Sequence, residues 1–202
     1  MKNYIMVNGR QIELTEDQVR EIIDAYKEKK RLLSAVPAGE IVKIGDRDFI
    51  ILGQYGEHTE LITKDIIEKM PFGDKNNFAG SSVDKWCESF AEDLAGTVGE
   101  ENVVEHIVDL TSDDGLKDYG TVQRKVSLLT TEQYRQYVDI LDQHKPDTWW
   151  WLATPYSTPR HDDDSWVKCV SPAGDIDIGG FNYDNIGVRP FCILKSSIFV
   201  SR

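Results

Sequence analysis

The chain has 202 residues, 40% of them hydrophobic and 10% aromatic, and a formal net charge of −12. That length holds one domain or a domain with a small arm, and five Trp, eight Tyr and seven Phe can fill a substantial core. The acidic balance disfavours direct nucleic-acid binding, which needs clustered Lys and Arg; no apolar run reaches the roughly 18 residues of a membrane span; and MKNYIMVNGR lacks the pattern of a signal peptide, so a cytoplasmic site of synthesis is expected.

In chain order, YIMVNGRQIEL carries two apolar-alternating runs around Asn8-Gly9, a pair suited to the positive φ angles of a type I′ turn. A β-hairpin is predicted over residues 3–13. Thr15 and Gln18 then form a capping box, and Val19, Ile22, Ile23, Tyr26 and Leu33 share one stripe of the helix that follows. Residues 1–36 read as a hairpin–helix arm. Such a unit is too small to be stable alone, so it must dock on the main domain or on another copy, and a homo-oligomer through residues 1–34 is favoured. Pro37-Ala38-Gly39 is the expected hinge.

The main domain is read as residues 39–202. Glu40–Ile44, Asp48–Gln54 and Thr59–Thr63 are predicted strands, and residues 70–82 a loop rich in Gly and Asn. Ser81 or Ser82 caps a helix with Val83, Trp86, Cys87, Phe90 and Leu94 on one face. Val103–Leu110 reads as one strand, residues 111–120 as polar turns, and Lys125–Leu129 as a short strand. Thr130 and Gln133 open a third helix with Tyr134, Tyr137, Val138 and Leu141 on its face. Trp149, Trp150 and Trp151 cannot all point one way in a strand, so Trp150 is expected opposite its neighbours, with both faces covered. Loops Pro155–Ser165 and Asp175–Ile186 flank a strand over Ser165–Gly174. Strands and helices mix without regular alternation, which makes the chain α+β with mixed or antiparallel sheets. Trp86, Phe90, Leu128, Trp150, Val188 and Phe191 are expected to be mostly buried. Cys87, Cys169 and Cys192 are an odd count without a CxxC and read as free buried thiols, with a Cys169–Cys192 bridge left open.

The blocks Trp150-Trp151-Leu152-Ala153-Thr154-Pro155, Trp166–Gly174 and Gly187-Val188-Arg189-Pro190-Phe191 resemble, in that order, the ending of a family found in Firmicutes genomes, prophages and mobile elements, WWLRSP…GVRPAF. Ile44–Ile51, Leu61–Asp65, Ser82–Trp86 and Val126–Tyr134 resemble its earlier blocks, so the likeness runs over about residues 40–195. It implies a C-type-lectin-like domain of the formylglycine-generating-enzyme-like variant, a scaffold whose loops near the end vary. The family has no assigned activity to carry over. Ala153 and Thr154 stand where its pattern has Arg and Ser, so no role passes from that Arg.

Enzymatic chemistry finds little support. Cys169 and Cys192 do not match the copper-binding pair of formylglycine-generating relatives. His58, His106, His144 and His161 are scattered without ligand spacing, and no P-loop, GxSxG or GxGxxG is present. Asp162, Asp163 and Asp164, with Asp175, Asp177, Asp184 and Asn185, could contribute oxygens to Ca²⁺, but no EF-hand spacing supports a dedicated site, and neither metal nor cofactor is expected. Arg189, in an apolar strand, needs an ion pair or carbonyls and is read as structural, as is Trp150. The loops hold the functional signal: Tyr156, His161, Asp162, Asp163, Asp164, Asn182, Tyr183 and Asp184 have a paratope-like composition. They converge on one surface if the loops fold back over the sheet, as the resemblance implies. The expected function is a non-enzymatic binding module of a phage or mobile element, virion-associated in one setting, recognising a protein or glycan. The alternative is an intracellular phage-encoded inhibitor of a host defence protein acting through its acidic surface.

Overall fold

The computed structural model describes residues 3–7, 10–20 and 30–201. β1 (Asn3–Val7) and β2 (Arg10–Leu14) pair antiparallel with Val7 opposite Arg10, as the alternation predicts; the Asn8-Gly9 turn lies outside the described residues. Residues 16–20 are helical behind a capping box in which Gln18 N–H donates to Thr15 Oγ1 and Thr15 N–H to Gln18 Oε1. Ile22, Ile23 and Tyr26 lie outside the described residues.

Leu33 does not join that helical stripe. β3 (Arg31–Leu32) pairs with the C-terminal strand Phe199–Val200, and Leu33 opens a 3₁₀ turn with its side chain fully buried in the main core. Leu33 N–H donates to Ile198 O at 2.9 Å, and Gln54 Nε2 donates to the carbonyls of Leu33 and Val36, each at 2.9 Å. A seven-residue step from Tyr26 fits a helix by spacing alone; the core contact decides otherwise.

β4 (Ile41–Ile44), β5 (Arg47–Tyr55) and β6 (His58–Thr63) form a meander, turned first at Gly45, whose φ of 62° favours glycine. β7 (Glu68–Lys69) and a loop over residues 70–81 lead to α1 (Ser82–Val98), where the Ser81 hydroxyl accepts the Asp84 N–H. The apolar run after α1 breaks at Glu105 into β8 (Val103–Val104) and β9 (His106–Asp109), and β9 pairs with an additional strand, β10 (Thr121–Arg124). β11 (Val126–Ser127) precedes α2 (Thr131–Gln136) and α3 (Val138–Leu141). The helix expected as continuous is interrupted at Tyr137, and Val138 turns outward. Then follow β12 (Trp150–Pro155), β13 (Trp166–Val170), β14 (Ile176–Gly180), β15 (Gly187–Val188), β16 (Phe191–Lys195) and β17 (Phe199–Val200).

The class is α+β. A six-stranded antiparallel sheet runs β11-β16-β6-β5-β4 with β8 also on β16; a five-stranded sheet runs β14-β13-β12-β15-β7, with β12 and β15 parallel. One core cluster joins Ile50, Leu52, Ile62 and Phe191 of the first sheet to Trp150, Leu152 and Val170 of the second, closed by Tyr134, Tyr137 and Leu141. The other cluster covers the opposite faces with α1 and with Phe72 and Phe78 of the 70–81 loop. Sheets buried on both faces explain the near-continuous apolar runs of β5 and β12. Phe90, Leu128, Trp150, Val188 and Phe191 are buried and Trp86 is half-buried. The three cysteines are free and buried, with Cys169 and Cys192 in different sheets.

Two changes test where the folded domain begins. Leu33→Ala should cost about 2–5 kcal/mol, read by urea denaturation, because it opens a cavity in a close-packed core. A chain beginning at Lys30 should keep the parent's denaturation midpoint for the main transition, whereas one beginning at Pro37 should lose Leu33, Val36 and β3 and unfold at lower urea.

Candidate functional site

Residues 175–186, expected as one loop, begin as strand β14. β14 runs antiparallel to β13 with Trp166 opposite Gly180. One Asp and two Gly in five residues mask its β character, because both types are poor strand formers. This hairpin returns the chain to the end of the sheet from which β13 started. The 155–165 and 181–186 segments therefore meet without folding back over the sheet. Phe181 N–H donates to Ser165 O at 3.0 Å, and the Tyr183 ring meets Trp166 edge-on with centroids 6.4 Å apart. Gly180 makes room for this: a Cβ there would stand 3.0 Å from the Tyr183 ring.

Tyr156 completes an aromatic ridge. Its N–H donates to Trp166 O at 2.9 Å, and Lys168 Nζ lies 5.8 Å from the centre of its ring. Tyr156, Trp166 and Tyr183 are 40%, 36% and 46% exposed, large values for such side chains. Trp166 escaped the sequence reading, which assigned it to the scaffold. The signal was present: alternation along β13 sends Val167 into the core and so Trp166 outward.

The acidic residues separate into different tasks. Asp114 accepts from Ser112 Oγ, from Ser157 Oγ at 2.7 Å and from His161 Nδ1 at 2.9 Å, and these hydrogen bonds hold its carboxyl well below the usual range. Asp162 ends a 3₁₀ turn in the left-handed region with φ 55°. Asp163 Oδ1 accepts the Ser165 N–H at 2.9 Å. Asn182, Tyr183 and Asp184 are exposed on the neighbouring segment. Among the described residues no group of three or more His, Cys, Asp or Glu is placed to hold a metal ion.

One buried amide locks the loops together. Asn76, with no exposed surface, donates through Nδ2 to Ser157 O at 3.0 Å and Trp166 O at 3.1 Å. Its Oδ1 accepts the Tyr119 hydroxyl at 2.7 Å and its N–H donates to Asp164 O at 2.9 Å. Loops 70–81, 111–120 and 155–165 thus share one hub. Asp118 adds a second tie by accepting from Thr158 Oγ1 and Arg160. Burial, with the nearby carboxylates of Asp164, Asp118 and Asp163, pushes the Tyr119 phenol up to about 12.

Loop segments 70–81, 111–120, 155–165 and 181–186 all fall within residues 57–196, the span matched by the model of a family described as a domain of unknown function, DUF6273. The chain belongs to the DUF6273 family. No curated protein and no solved structure matches the chain. The DUF6273 span opens at the β5–β6 turn and closes just after β16, so it holds the whole five-stranded sheet but not β4 and β5.

Within that span Arg189 is fully buried. Its Nε donates to Thr63 O at 2.8 Å, and its Nη2 donates to Lys64 O at 3.1 Å and His144 O at 3.2 Å. The guanidinium lies 5.1 Å from the centre of the Trp150 ring, and burial lowers its pKa to about 10. His144 Nε2 lies 3.1 Å from Gly39 O. His106 Nε2 lies 2.8 Å from Ser127 Oγ with its ring edge-on to Phe191.

Asn76→Ala should destabilise the fold by about 1–3 kcal/mol in urea, because it leaves the Ser157 carbonyl and the half-buried Tyr119 hydroxyl without their partner. Differential hydrogen exchange should place the loss of protection in residues 111–120 and 155–165. His106 gives a pH test. Burial pushes its imidazole down to about 4 from an unfolded value near 6.5. The unfolded chain therefore binds the extra proton first. This contribution is complete above about pH 6.5 and is lost as pH falls to about 4, by roughly 3 kcal/mol. His106→Gln should flatten that part of the stability–pH curve; an unchanged slope would assign the loss to other groups.

Proposed function

We propose that the chain is a non-enzymatic binding module that recognises a protein or glycan through the loop face at the end of the five-stranded sheet. The exposed Tyr156–Trp166–Tyr183 ridge on loops fixed by Asn76 carries this reading. Rigid aromatics give contact area at low entropic cost, and Trp and Tyr dominate binding hot spots. Asp163, Asp164 and Asp184 stand close to Trp166 and Tyr183 in sequence and favour a basic or polyhydroxylated partner. Two packed sheets with long loops gathered at one end are consistent with a C-type-lectin-like scaffold, and the resemblance of the chain's ending to prophage and mobile-element proteins supports such an origin. Burial pushes the Cys169 and Cys192 thiols up to about 12, which leaves neither a ready nucleophile at neutral pH and agrees with a role in binding. In this reading the part of the arm before Lys30 serves docking or self-association, since Leu33 and Val36 belong to the main core.

A second reading is favoured by a groove of about 320 Å³ beside α1. Glu88, Glu92, Glu100 and Glu105 line it, while its Arg124 is held by Asp84 through two contacts of 2.7 Å and its Lys125 by Glu100. That surface would suit an inhibitor of a basic host protein.

Capture from host lysate separates the two. The Tyr156→Ala/Tyr183→Ala double variant should keep its melting temperature, because both rings lie outside the core clusters. It should lose at least about 2 kcal/mol of affinity for a captured partner, measured by calorimetry. Affinity that survives this change but falls with Glu92→Lys/Glu105→Lys would replace the loop face with the acidic groove.

A further inference from the structure

A cleft of about 180 Å³ adjoins the ridge through Tyr183, which is one of its walls and whose ring meets Trp166 edge-on. Trp149, Ile178, Ile186 and Cys169 make the rest of the lining apolar, and Asn185 adds one amide. Trp149 and Ile178 are half-buried and Tyr183 is exposed, so these three keep surface that a guest can touch; Ile186 and Cys169 are buried. Among the described residues no charged side chain lines the cleft. Water in such a space finds few partners, and its release favours an apolar guest. An apolar cavity of about 150 Å³ holds a benzene ring, so this cleft has room for one phenyl group.

The walls are held by backbone hydrogen bonds. Met70 N–H donates to Ile186 O at 3.2 Å, Gly187 N–H to Trp149 O at 2.8 Å and Tyr183 N–H to Gly180 O at 2.9 Å. A guest therefore has little of the cleft left to order.

Two carboxylates stand beside it. Asp177 lies opposite Cys169 in the β13–β14 register and so on the same face of the sheet, and after burial it is the next cause of the raised Cys169 thiol. Asp184 stands between Tyr183 and Asn185, which both line the cleft. Both carboxylates are exposed, and among the described residues neither forms an ion pair with Lys or Arg. Asp177 Oδ1 accepts the Ile178 N–H at 2.8 Å. An anionic guest is repelled here. A sugar ring would turn hydroxyls toward Trp149, Ile178 and Ile186, which cannot pair with them. An apolar group carried next to a cation matches both the lining and the charge.

We propose that this cleft receives one phenylalanine-sized side chain of a protein partner, with an adjacent Lys or Arg of that partner directed to Asp177 or Asp184. The proposal rests on the loop-face reading and narrows its partner from a protein or glycan to a protein.

Backbone-amide NMR on the full chain tests it with the blocked peptides Lys-Phe-Lys, Lys-Ser-Lys and Glu-Phe-Glu, and with methyl galactoside as a sugar. Lys-Phe-Lys should shift the Ile178 and Asn185 amides saturably. Lys-Ser-Lys should bind at least about tenfold more weakly, because it buries no aromatic ring. Glu-Phe-Glu should also bind more weakly, and Asp177→Asn/Asp184→Asn should bring the two Phe peptides closer together. Asn185→Trp crowds the cleft from an exposed position. It should keep the melting temperature and abolish the preference for Phe over Ser. Equal affinity for Lys-Phe-Lys and Lys-Ser-Lys overturns the proposal, as do unaltered Lys-Phe-Lys affinity in Asn185→Trp, silence at both amides, and a tighter response to the galactoside. A partner captured from host lysate separates this failure from that of the loop face. Affinity that falls with Tyr156→Ala and survives Asn185→Trp overturns the cleft and keeps the loop face; affinity that survives both removes the loop face as well.

Discussion

β12 has no solvent-facing side, and much of the molecule is arranged around that constraint. Side chains alternate along a strand, so Trp150 and Trp151 must find two separate apolar environments. Trp150 meets Tyr134 edge-on at 5.7 Å, and Trp151 meets Phe72 edge-on at 5.5 Å. Trp151 also donates its Nε1–H to Met70 O at 3.0 Å. The 70–81 segment is thereby drawn into the core through Phe72 and Phe78 while its Asn76 holds the neighbouring loops. Scaffold and loop face share one stretch of chain. Gly179 belongs to the same constraint, since a Cβ there would stand 2.9 Å from the Trp151 ring.

Arg189 fastens the other side of that strand. A buried guanidinium usually wants a carboxylate, yet this one is held by carbonyls of Thr63, Lys64 and His144 and by the face of Trp150. These groups come from the end of β6, the segment after it, and the turn before β12. One side chain therefore ties the six-stranded sheet, the helical connection and the tryptophan strand. Replacing it with an apolar residue of similar length would leave the carbonyls of Thr63, Lys64 and His144 without this donor.

Elements specified by local chemistry were legible in the sequence. The capping boxes at Thr15 and Thr130, the Ser81 cap, the β4–β5–β6 meander and the opposed tryptophans follow from side chains close in sequence. Elements decided by distant partners were not. Leu33 belongs to the core because β3 pairs with β17 at the far end of the chain. β14 exists because β13 offers it an edge, against the propensities of its own residues. The helix after Thr130 breaks at Tyr137, where the phenol is engaged with Glu60 and Tyr55 on the sheet. At the candidate site the composition of the loops pointed to Tyr156 and Tyr183. The contribution of Trp166 and the hub at Asn76 needed the register of β13 and contacts between loops far apart in the chain.

The inward aim of Asn76 divides labour between two sets of side chains. Loop shape is set by groups that hydrogen-bond from one loop to another, namely Asn76, Tyr119, Ser157 and Asp118, whereas Tyr156, Asp162, Asn182 and Tyr183 are exposed and contribute little to that shape. Outward positions can change chemistry without reshaping the backbone that displays them. On the binding reading proposed above, single substitutions at these positions would alter what is recognised, each nearly neutral for folding. The inward-facing hub would stay fixed while the displayed chemistry changed.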